Sequence, residues 1–201
     1  MARRSTTSPE EAAALQAAGA RLQRHAHDMV LDLPGDCPAG PSLPDGLSLR
    51  PGVEASPRLT RALLAAYPPG HPDVGPSGRT RGQANQEIAA LLDGTAGGPV
   101  LQDPSAEVTD AAGRVVAAVI VTRAEPQAWG WPGGPWVATV LVVPRWQGRG
   151  VGRAVMCWAI ARSTAAGDVR IGLTVTDGNP AERLYLALGF RRRRTLYLFD
   201  S

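Results

Sequence analysis

One stretch, residues 140–158, constrains the fold more than any other part of the chain. It opens with the aliphatic run Val140–Val143 and passes through three alternating glycines, Gly148, Gly150 and Gly152. The positions after the turn are apolar at the spacing of one helix face: Val151, Val155, Trp158 and Ala159. The stretch therefore predicts a strand, a glycine-rich turn and a helix in succession.

The glycines of this turn indicate a bound phosphate. Glycine lets the backbone approach a ligand with no Cβ in the way and tolerates positive φ. The first four N–H groups of a helix have no intrahelical partner, and the helix dipole is positive at that end, so phosphate is a natural ligand. Arg149 and Arg153 add positive charge beside the turn. We expect a phosphorylated ligand at the end of the strand.

Two common phosphate motifs do not fit this turn. A P-loop closes with Gly-Lys-Ser/Thr, which is absent, and the dinucleotide fingerprint has the spacing Gly-x-Gly-x-x-Gly followed by several βαβ units. Here the spacing is Gly-x-Gly-x-Gly, and too little chain follows for such units. The motif instead resembles motif A of the GNAT superfamily of N-acetyltransferases. Gln147, Gly150 and Gly152 match its pattern, and Val142 and Pro144 match the end of the strand before it.

A second signature of the same family follows downstream. Residues 177–190 resemble the family segment in which a tyrosine on a helix, here Tyr185, precedes Leu-Gly-Phe, here Leu188-Gly189-Phe190. The resemblance implies one GNAT-type α/β (α+β) acyltransferase domain. It has a mixed, mostly antiparallel central sheet with a splayed strand, flanked by helices, and here an N-terminal helical extension. It also implies an enzyme that transfers the acetyl group of acetyl-coenzyme A to a primary amine by direct attack on the thioester.

The resemblance also assigns residues to the coenzyme. The splayed strand would bind the pantetheine arm, the turn would bind the pyrophosphate through backbone N–H groups, and Asn179 takes the place of a family asparagine that the strict spacing puts at Gly178. The coenzyme-binding residues implied in this way are Leu141, Val142, Val143, Gln147, Gly148, Arg149, Gly150, Val151, Gly152, Arg153 and Asn179. Asn179 also begins the capping-box pattern Asn179-Pro180-Ala181-Glu182, which gives it a structural explanation.

Tyr185 matches the family tyrosine that acts as general acid for the leaving thiolate. A tyrosine hydroxyl has an ordinary pKa near 10, so it stays protonated at neutral pH. The attacking amine must lose a proton, and many relatives carry a carboxylate on the splayed strand for this purpose. That position is Thr139 here, so Glu87, Glu107, Glu125, His71 or a water molecule remain as alternatives.

The acceptor is expected near the Pro/Gly-rich segment 67–81, because the family forms its acceptor site around its first two helices. Candidate acceptor contacts are His71 in this segment, Trp136 and Thr139. A histidine titrates near neutral pH and could serve as a base. The acceptor itself is predicted only as a small-molecule or peptide amine.

Two regions are predicted, residues 1–45 and residues 46–201. Ser8-Pro9-Glu10-Glu11 has the pattern of a capped helix start, and an apolar stripe then predicts a helix to about Val30. A Pro/Gly-rich linker follows over Leu33–Asp45. The acetyltransferase domain would occupy 46–201, with a short strand at Leu47–Arg50, a helix capped by Ser56, a second short helix, a hairpin around Gly113 and a final strand after Arg194.

Composition sets outer limits on function. The 201 residues carry a net charge of +3, which favours an anionic ligand without requiring nucleic acid. Cys37 and Cys157 are too few for a disulfide framework, no histidine–cysteine set predicts a metal, and no apolar segment predicts a leader or a membrane span. We expect a cytoplasmic monomer or homodimer that binds neither membrane nor nucleic acid. Two alternatives stay open: a non-catalytic acyl-coenzyme A-binding regulator and, motivated by the arginines, a nucleic-acid-binding module.

Overall fold

The computed structural model describes residues 3–34 and 43–200, which form one sheet of eight strands with helices on both faces. The strands are β1 (Arg3–Thr6), β2 (Arg21–Asp32), β3 (Leu47–Pro51), β4 (Ala106–Asp110), β5 (Val115–Ala124), β6 (Gly134–Val142), β7 (Arg170–Thr176) and β8 (Arg191–Asp200). The helices are α1 (Pro9–Ala17), α2 (Pro57–Ala66), α3 (Arg81–Leu92), α4 (Val151–Ala165) and α5 (Glu182–Ala187), and a 3-10 turn spans Pro144–Trp146.

The strand order across the sheet is β1-β8-β2-β7-β6-β5-β4-β3. Every neighbouring pair runs antiparallel except β6 and β7, which are parallel. The predicted fold class, a mixed and mostly antiparallel sheet flanked by helices, is confirmed. The parallel pair lies in the interior of the sheet and joins the part built from β3–β6 to the part built from β7, β2, β8 and β1.

The two faces of the sheet carry different helices because side chains alternate along each strand. On β5, Ala117 and Val119 pack in the cluster that contains α4, whereas Ala118 packs with α2 and α3. The α2 face is anchored by Leu59 and Leu63, both 1% exposed. The helix predicted after Ser56 and the second short helix are both present, as α2 and α3. Ser56 accepts a hydrogen bond from the N–H of Leu59 at 3.1 Å.

The N-terminal region departs from its sequence pattern. Ser8 caps α1 as expected, with its hydroxyl oxygen 3.1 Å from the N–H of Glu11, but the helix ends at Ala17 and the predicted helix to Val30 is wrong. Residues 21–32 form β2 instead. This strand pairs with β7 over residues 26–32 and with β8 over residues 21–30, so its backbone polar groups are satisfied on both sides. Tertiary pairing of this kind overrides a local helical pattern.

Part of the predicted linker, residues 35–42, lies outside the described residues, and Cys37 lies there too. Cys157 lies on α4 and is buried. The boundary at residue 45 stays a prediction. The sheet itself includes β1 and β2 from the first region together with β3–β8 from the second.

Candidate active site

The parallel strands β6 and β7 separate soon after they meet. Their pairing is confined to Trp136 with Gly172 and Val137 with Leu173. Directly beyond, β6 carries one extra residue relative to β5: Val137 pairs with Val121 and Thr139 with Ile120, so Ala138 has no counterpart. A bulge of this kind bends the strand that carries it. The β7-facing edge of β6 therefore lies open from Ala138 onward.

A cavity of about 640 Å³ occupies the gap between the separated strands. Its walls come from both faces of the sheet: α2, α3 and the segment between them on one side, and α4, α5 and the glycine-rich turn on the other. The cavity is lined by polar and ionisable side chains and by one glycine of the turn, among them Tyr67, His71, Asp73, Glu87, Thr139, Gly150, Asn179 and Tyr185. The cavity thus passes through the sheet.

The glycine-rich turn presents unpaired N–H groups to this cavity. Gly148 and Gly150 have φ of 71° and 81°, and a Cβ built on either would meet no atom within 4 Å. Gly150 is the left-handed N-cap of α4, which begins at Val151. The backbone N–H groups of residues 148–153 have no hydrogen-bond partner among the described residues, and the first such bond of the helix runs from Ala154 to the Gly150 carbonyl at 2.9 Å. The turn has the geometry of an anion site at a helix N-terminus.

The turn is held on the end of β6. The side-chain amide of Gln147 donates to the carbonyl oxygen of Val142 at 2.9 Å, and the N–H of Gln147 donates to the Pro144 carbonyl at 3.1 Å. A Cβ at Gly152 would lie 3.5 Å from Leu184 and 3.6 Å from Val142, which is ordinary contact. Gly152 should therefore tolerate a side chain more readily than Gly150, because the positive φ of Gly150 favours glycine.

The coenzyme-binding residues predicted from sequence divide into two groups. Val142, Gln147, Gly148, Gly150, Gly152, Arg153 and Asn179 line the cavity. Leu141, Val143, Arg149 and Val151 do not. Leu141 packs beneath α2 with 1% exposure, and the N–H of Val143 already donates to the Val116 carbonyl at 2.9 Å. Arg149 lies over the Trp146 ring, 5.5 Å from its centroid.

Tyr185 lies on α5 and reaches the cavity from the face of the sheet that carries the glycine-rich turn. The residue is 8% exposed, and its ring packs near Phe190. Its hydroxyl makes no hydrogen bond within the described residues. Burial raises the pKa of Tyr185, and the nearby Asp73 carboxylate raises it further. The hydroxyl is therefore a proton donor throughout the physiological range.

Tyr67, at the end of α2, reaches the open edge of β6 from the opposite face. Its hydroxyl donates to the carbonyl oxygen of Val140 at 2.6 Å. Burial also raises the pKa of Tyr67, so this donor keeps its proton. The guanidinium of Arg79 lies over the ring, 5.3 Å from its centroid. In a continuous sheet the Val140 carbonyl would accept a hydrogen bond from β7. Here it accepts one from the Tyr67 hydroxyl instead.

Asp73 joins the two walls of the cavity. Its carboxylate accepts hydrogen bonds from the hydroxyl of Thr176 and from the side-chain amide of Asn179, the latter at 2.9 Å. Arg24 of β2 adds an ion pair at 3.8 Å and donates to the Thr176 hydroxyl at 3.0 Å. The segment between α2 and α3 is thereby tied to the end of β7. Sequence reasoning missed Asp73 and Arg24, because a loop aspartate has no motif and Arg24 was assigned to a helix.

The expected capping box at Asn179 does not form. Its side-chain oxygen accepts from the N–H of Ala181 at 2.9 Å, but the Glu182 carboxylate pairs with Arg192 at 2.5 Å rather than returning to the Asn179 backbone. The side-chain N–H of Asn179 donates to the Asp73 carboxylate, so capping explains only one of the two hydrogen bonds made by this side chain. Of the predicted acceptor contacts, His71 and Thr139 line the cavity, whereas Trp136 packs against Gly172 and Trp131 outside it.

Among the described residues, no group of three or more His, Cys, Asp or Glu side chains could hold a metal ion. Within the same ranges, none of the helices is both long and apolar enough to cross a membrane. Three of the four arginines that begin β8 are ion-paired: Arg192 with Glu182, Arg193 with Asp32 and Arg194 with Asp28.

The family model described as the acetyltransferase (GNAT) domain matches residues 105–192. This range runs from the residue before β4 to the start of β8 and includes the turn and Tyr185. None of the curated proteins compared with the chain matches it.

Solved structures match nearly the whole chain at low identity. A GCN5-related N-acetyltransferase from Sphaerobacter thermophilus is 18% identical with a TM-score of 0.67, over 98% of this chain and 59% of that one. A tandem GNAT protein from the clavulanic acid biosynthesis pathway is 15% identical with a TM-score of 0.63, over 96% and 58%. A glucosamine N-acetyltransferase region of a fungal multi-domain β-N-acetylglucosaminidase is 17% identical with a TM-score of 0.61, over 96% and 23%. The chain thus spans less than two thirds of these proteins, and the likeness concerns the fold.

Proposed function

We propose that the chain is a GNAT-type acetyltransferase that transfers an acetyl group from acetyl-coenzyme A to a primary amine. The match of the acetyltransferase (GNAT) domain model to residues 105–192 and the fold shared with GNAT structures support this proposal. The observation that carries the proposal is the cavity through the sheet, with unpaired backbone N–H groups on one face and ionisable side chains on the other. Such a passage lets a thioester enter from one face and an amine from the other. The two reactants then meet between β6 and β7.

The turn and the start of α4 suit the pyrophosphate of the coenzyme. N–H groups of residues 148–153 point at no protein acceptor, and the helix dipole favours negative charge there. Arg153 lines the cavity and adds a positive charge. The open edge of β6 beyond Val137 offers backbone groups to the pantetheine arm, in the way that a sheet edge accepts an added strand.

Tyr185 is the proposed general acid. Attack by the amine expels a thiolate, which must be protonated, and Tyr185 is a cavity-lining donor whose pKa burial raises above the ordinary value. The acceptor lies on the opposite side, bounded by Tyr67, His71 and Glu87. We infer an amine of small-molecule or peptide origin, because the cavity is open to solvent and lined by both charged and apolar groups.

The coenzyme site is tested by calorimetric titration with acetyl-coenzyme A. Gly150→Val places a β-branched residue at φ of 81° on the N–H cradle, and we expect affinity to fall by about tenfold or more as hydrogen bonds to phosphate are lost. Gly167→Val is the matched control. Its φ is 83° and it also has open space around it, but it follows α4 and lies outside the cavity. Equal affinity of the two variants would remove the phosphate assignment.

The reaction is tested by thiol release from acetyl-coenzyme A in the presence of a panel of primary amines. Tyr185→Phe should lower turnover by about a hundredfold, the lower range for loss of a general acid, and should leave acetyl-coenzyme A affinity unchanged. Binding of the coenzyme without thiol release for any amine would favour the non-catalytic alternative. Wild-type turnover by the phenylalanine variant would reduce Tyr185 to a packing residue.

A further inference from the structure

The proposed reaction needs a base that Thr139 cannot provide. A primary ammonium has an ordinary pKa near 10.4, so most of the acceptor is protonated at neutral pH and cannot attack a thioester. Thr139, where many relatives have a carboxylate, is 9% exposed and carries only a hydroxyl. The base must therefore come from another group at the cavity.

Two of the carboxylates that the sequence offers as candidate bases, Glu107 and Glu125, do not lie at this cavity. Glu107 is on β4, 5% exposed, and pairs with Arg50 at 3.3 Å. Glu125 follows β5 and lines a separate cavity of about 350 Å³ with Arg123 and Arg170. Neither carboxylate lines the cavity between β6 and β7.

His71 lines the correct cavity, but its accepting nitrogen is already in use. Nδ1 of His71 accepts the backbone N–H of Asp73 at 3.2 Å. A backbone N–H can only donate, so in the neutral ring the proton lies on Nε2, which leaves no lone pair facing a substrate there. Burial lowers the pKa of His71, so the ring resists gaining a second proton.

Asp73 is also committed. Thr176 and Asn179 donate to its two oxygens, and Arg24 lies 3.8 Å from one of them. These contacts occupy both carboxylate oxygens of Asp73, so neither oxygen faces an amine in the cavity without a protein partner. Its position fits a structural tie between the two walls of the cavity.

Glu87 differs from these groups. It lies on α3, lines the cavity and is about one third exposed, and one carboxylate oxygen pairs with Nε of Arg79 at 2.7 Å. The other oxygen, Oε1, has no partner among the described residues. Burial raises the pKa of Glu87, and the opposing effect of Arg79 and the reinforcing effect of Asp73 are smaller. The other titratable groups around it are Tyr67, which is held protonated, and the neutral His71.

We propose that Glu87 is the general base that deprotonates the acceptor amine, an assignment that rests on the proposed acetyl transfer. Oε1 of Glu87 takes a proton from the ammonium, and the nitrogen lone pair forms the bond to the acyl carbon as the carbon–sulfur bond breaks. The thiolate takes its proton from Tyr185. The second proton, lost by nitrogen as it becomes an amide, restores the tyrosine, and Glu87 releases its proton to solvent. Because the pKa of Glu87 is raised, it lies closer to the pKa of the ammonium, and this favours proton transfer from the ammonium to the carboxylate.

The test compares two amines of nearly the same shape and different basicity. Ethylamine is almost fully protonated at neutral pH, whereas 2,2,2-trifluoroethylamine is almost fully neutral and needs no base before it attacks. Glu87→Gln should lower kcat/KM for ethylamine by about a hundredfold, the lower range for loss of a general base, with much less effect on trifluoroethylamine. Glu125→Gln is the control, because it removes a carboxylate outside the cavity and should match the wild type with both amines.

The pH profile and the affinity for acetyl-coenzyme A distinguish a failure of the Glu87 assignment from a failure of the proposed acetyl transfer. In the wild type, kcat/KM for ethylamine should fall as pH drops through the raised pKa of Glu87, and the glutamine variant should lose that fall while keeping acetyl-coenzyme A affinity. If the wild type releases thiol with neither amine, the proposed function and the base both fail. If the wild type is active and Glu87→Gln slows both amines equally or neither, the base assignment fails and acetyl transfer stands.

Discussion

β7 has two neighbours, and the two interfaces are opposites. With β2 it pairs antiparallel over residues 26–32, whereas with β6 it pairs parallel at two positions before the strands separate. Side chains reinforce the first interface: Asp28 accepts from Thr174 at 2.7 Å, and Asp32 pairs with Arg170 at 2.7 Å. The second interface has a cavity in place of such contacts. One strand thus forms both a continuous sheet and the wall of an open cleft.

The contrast shows what an opening inside a sheet requires. A strand that loses pairing on one side exposes backbone groups and loses cooperativity, so it must be held on the other side. β2 supplies that support from the N-terminal region, which the sequence pattern presents as a separate helix. The same strand also carries Arg24, which contacts the Asp73 tie at the cavity. The N-terminal region is therefore part of the architecture of the site.

The largest effect is expected from breaking the continuous interface at Asp28. This carboxylate is 2% exposed and accepts from Thr174 on β7 and from Arg194 on β8, the latter at 2.9 Å. Asp28→Ala leaves a half-buried guanidinium and a hydroxyl without their acceptor. We expect the free energy of unfolding to fall by about 3 kcal/mol, the lower range for removing one member of a buried pair. Urea unfolding at neutral pH measures it.

Asp32→Ala is the control within the same strand. Asp32 also joins β2 to β7, through Arg170, but both side chains are about half exposed. Exposed ion pairs contribute about 0–1 kcal/mol, so this variant should stay within about 1 kcal/mol of the wild type. Equal losses at the two positions would mean that burial does not distinguish the two ties, and the stronger role given to Asp28 would be wrong.

Much of the fold could be predicted because local signals agree with the tertiary structure. The turn at 148–152, the caps of α1 and α2, the β4–β5 hairpin and the helix with Tyr185 depend on glycine positions, capping oxygens and apolar spacing close together in sequence. β2 could not be predicted, since its conformation depends on partners from the far end of the chain. Taken alone, the apolar stripe over residues 15–29 is consistent with a helix, and only the pairing with β7 and β8 shows that residues 21–32 form a strand.

The candidate site divides in the same way. Residues in motifs, such as Gly150 and Tyr185, were found because their chemistry depends on local backbone or on position in a signature. Asp73 and Arg24 were not, because they act through a contact between segments that are distant in sequence. Glu87 was one of several unranked carboxylates. Only the placement of α3 against the cavity distinguishes it from Glu107 and Glu125.

The smallest effect is expected at the open interface. Tyr67→Phe removes the hydroxyl that donates to the Val140 carbonyl and leaves that carbonyl facing the cleft. A neutral hydrogen bond contributes about 1 kcal/mol net, and water in the cavity can replace the lost donor, so we expect a loss of about 1 kcal/mol in the free energy of unfolding. Urea unfolding measures the change beside Asp28→Ala.

Tyr197→Phe provides the comparison for this hydroxyl. Tyr197 is on β8, stacks on His25 with ring centroids 4.6 Å apart, and its hydroxyl makes no hydrogen bond among the described residues. Removing it should change stability by less than about 0.5 kcal/mol. Because the Tyr67 hydroxyl satisfies a carbonyl that β7 leaves unpaired, its removal should cost more than this control and less than Asp28→Ala. A loss at Tyr67 as large as that at Asp28 would mean that the cleft edge is as tightly held as the continuous sheet, and the contrast between the two sides of β7 would fail.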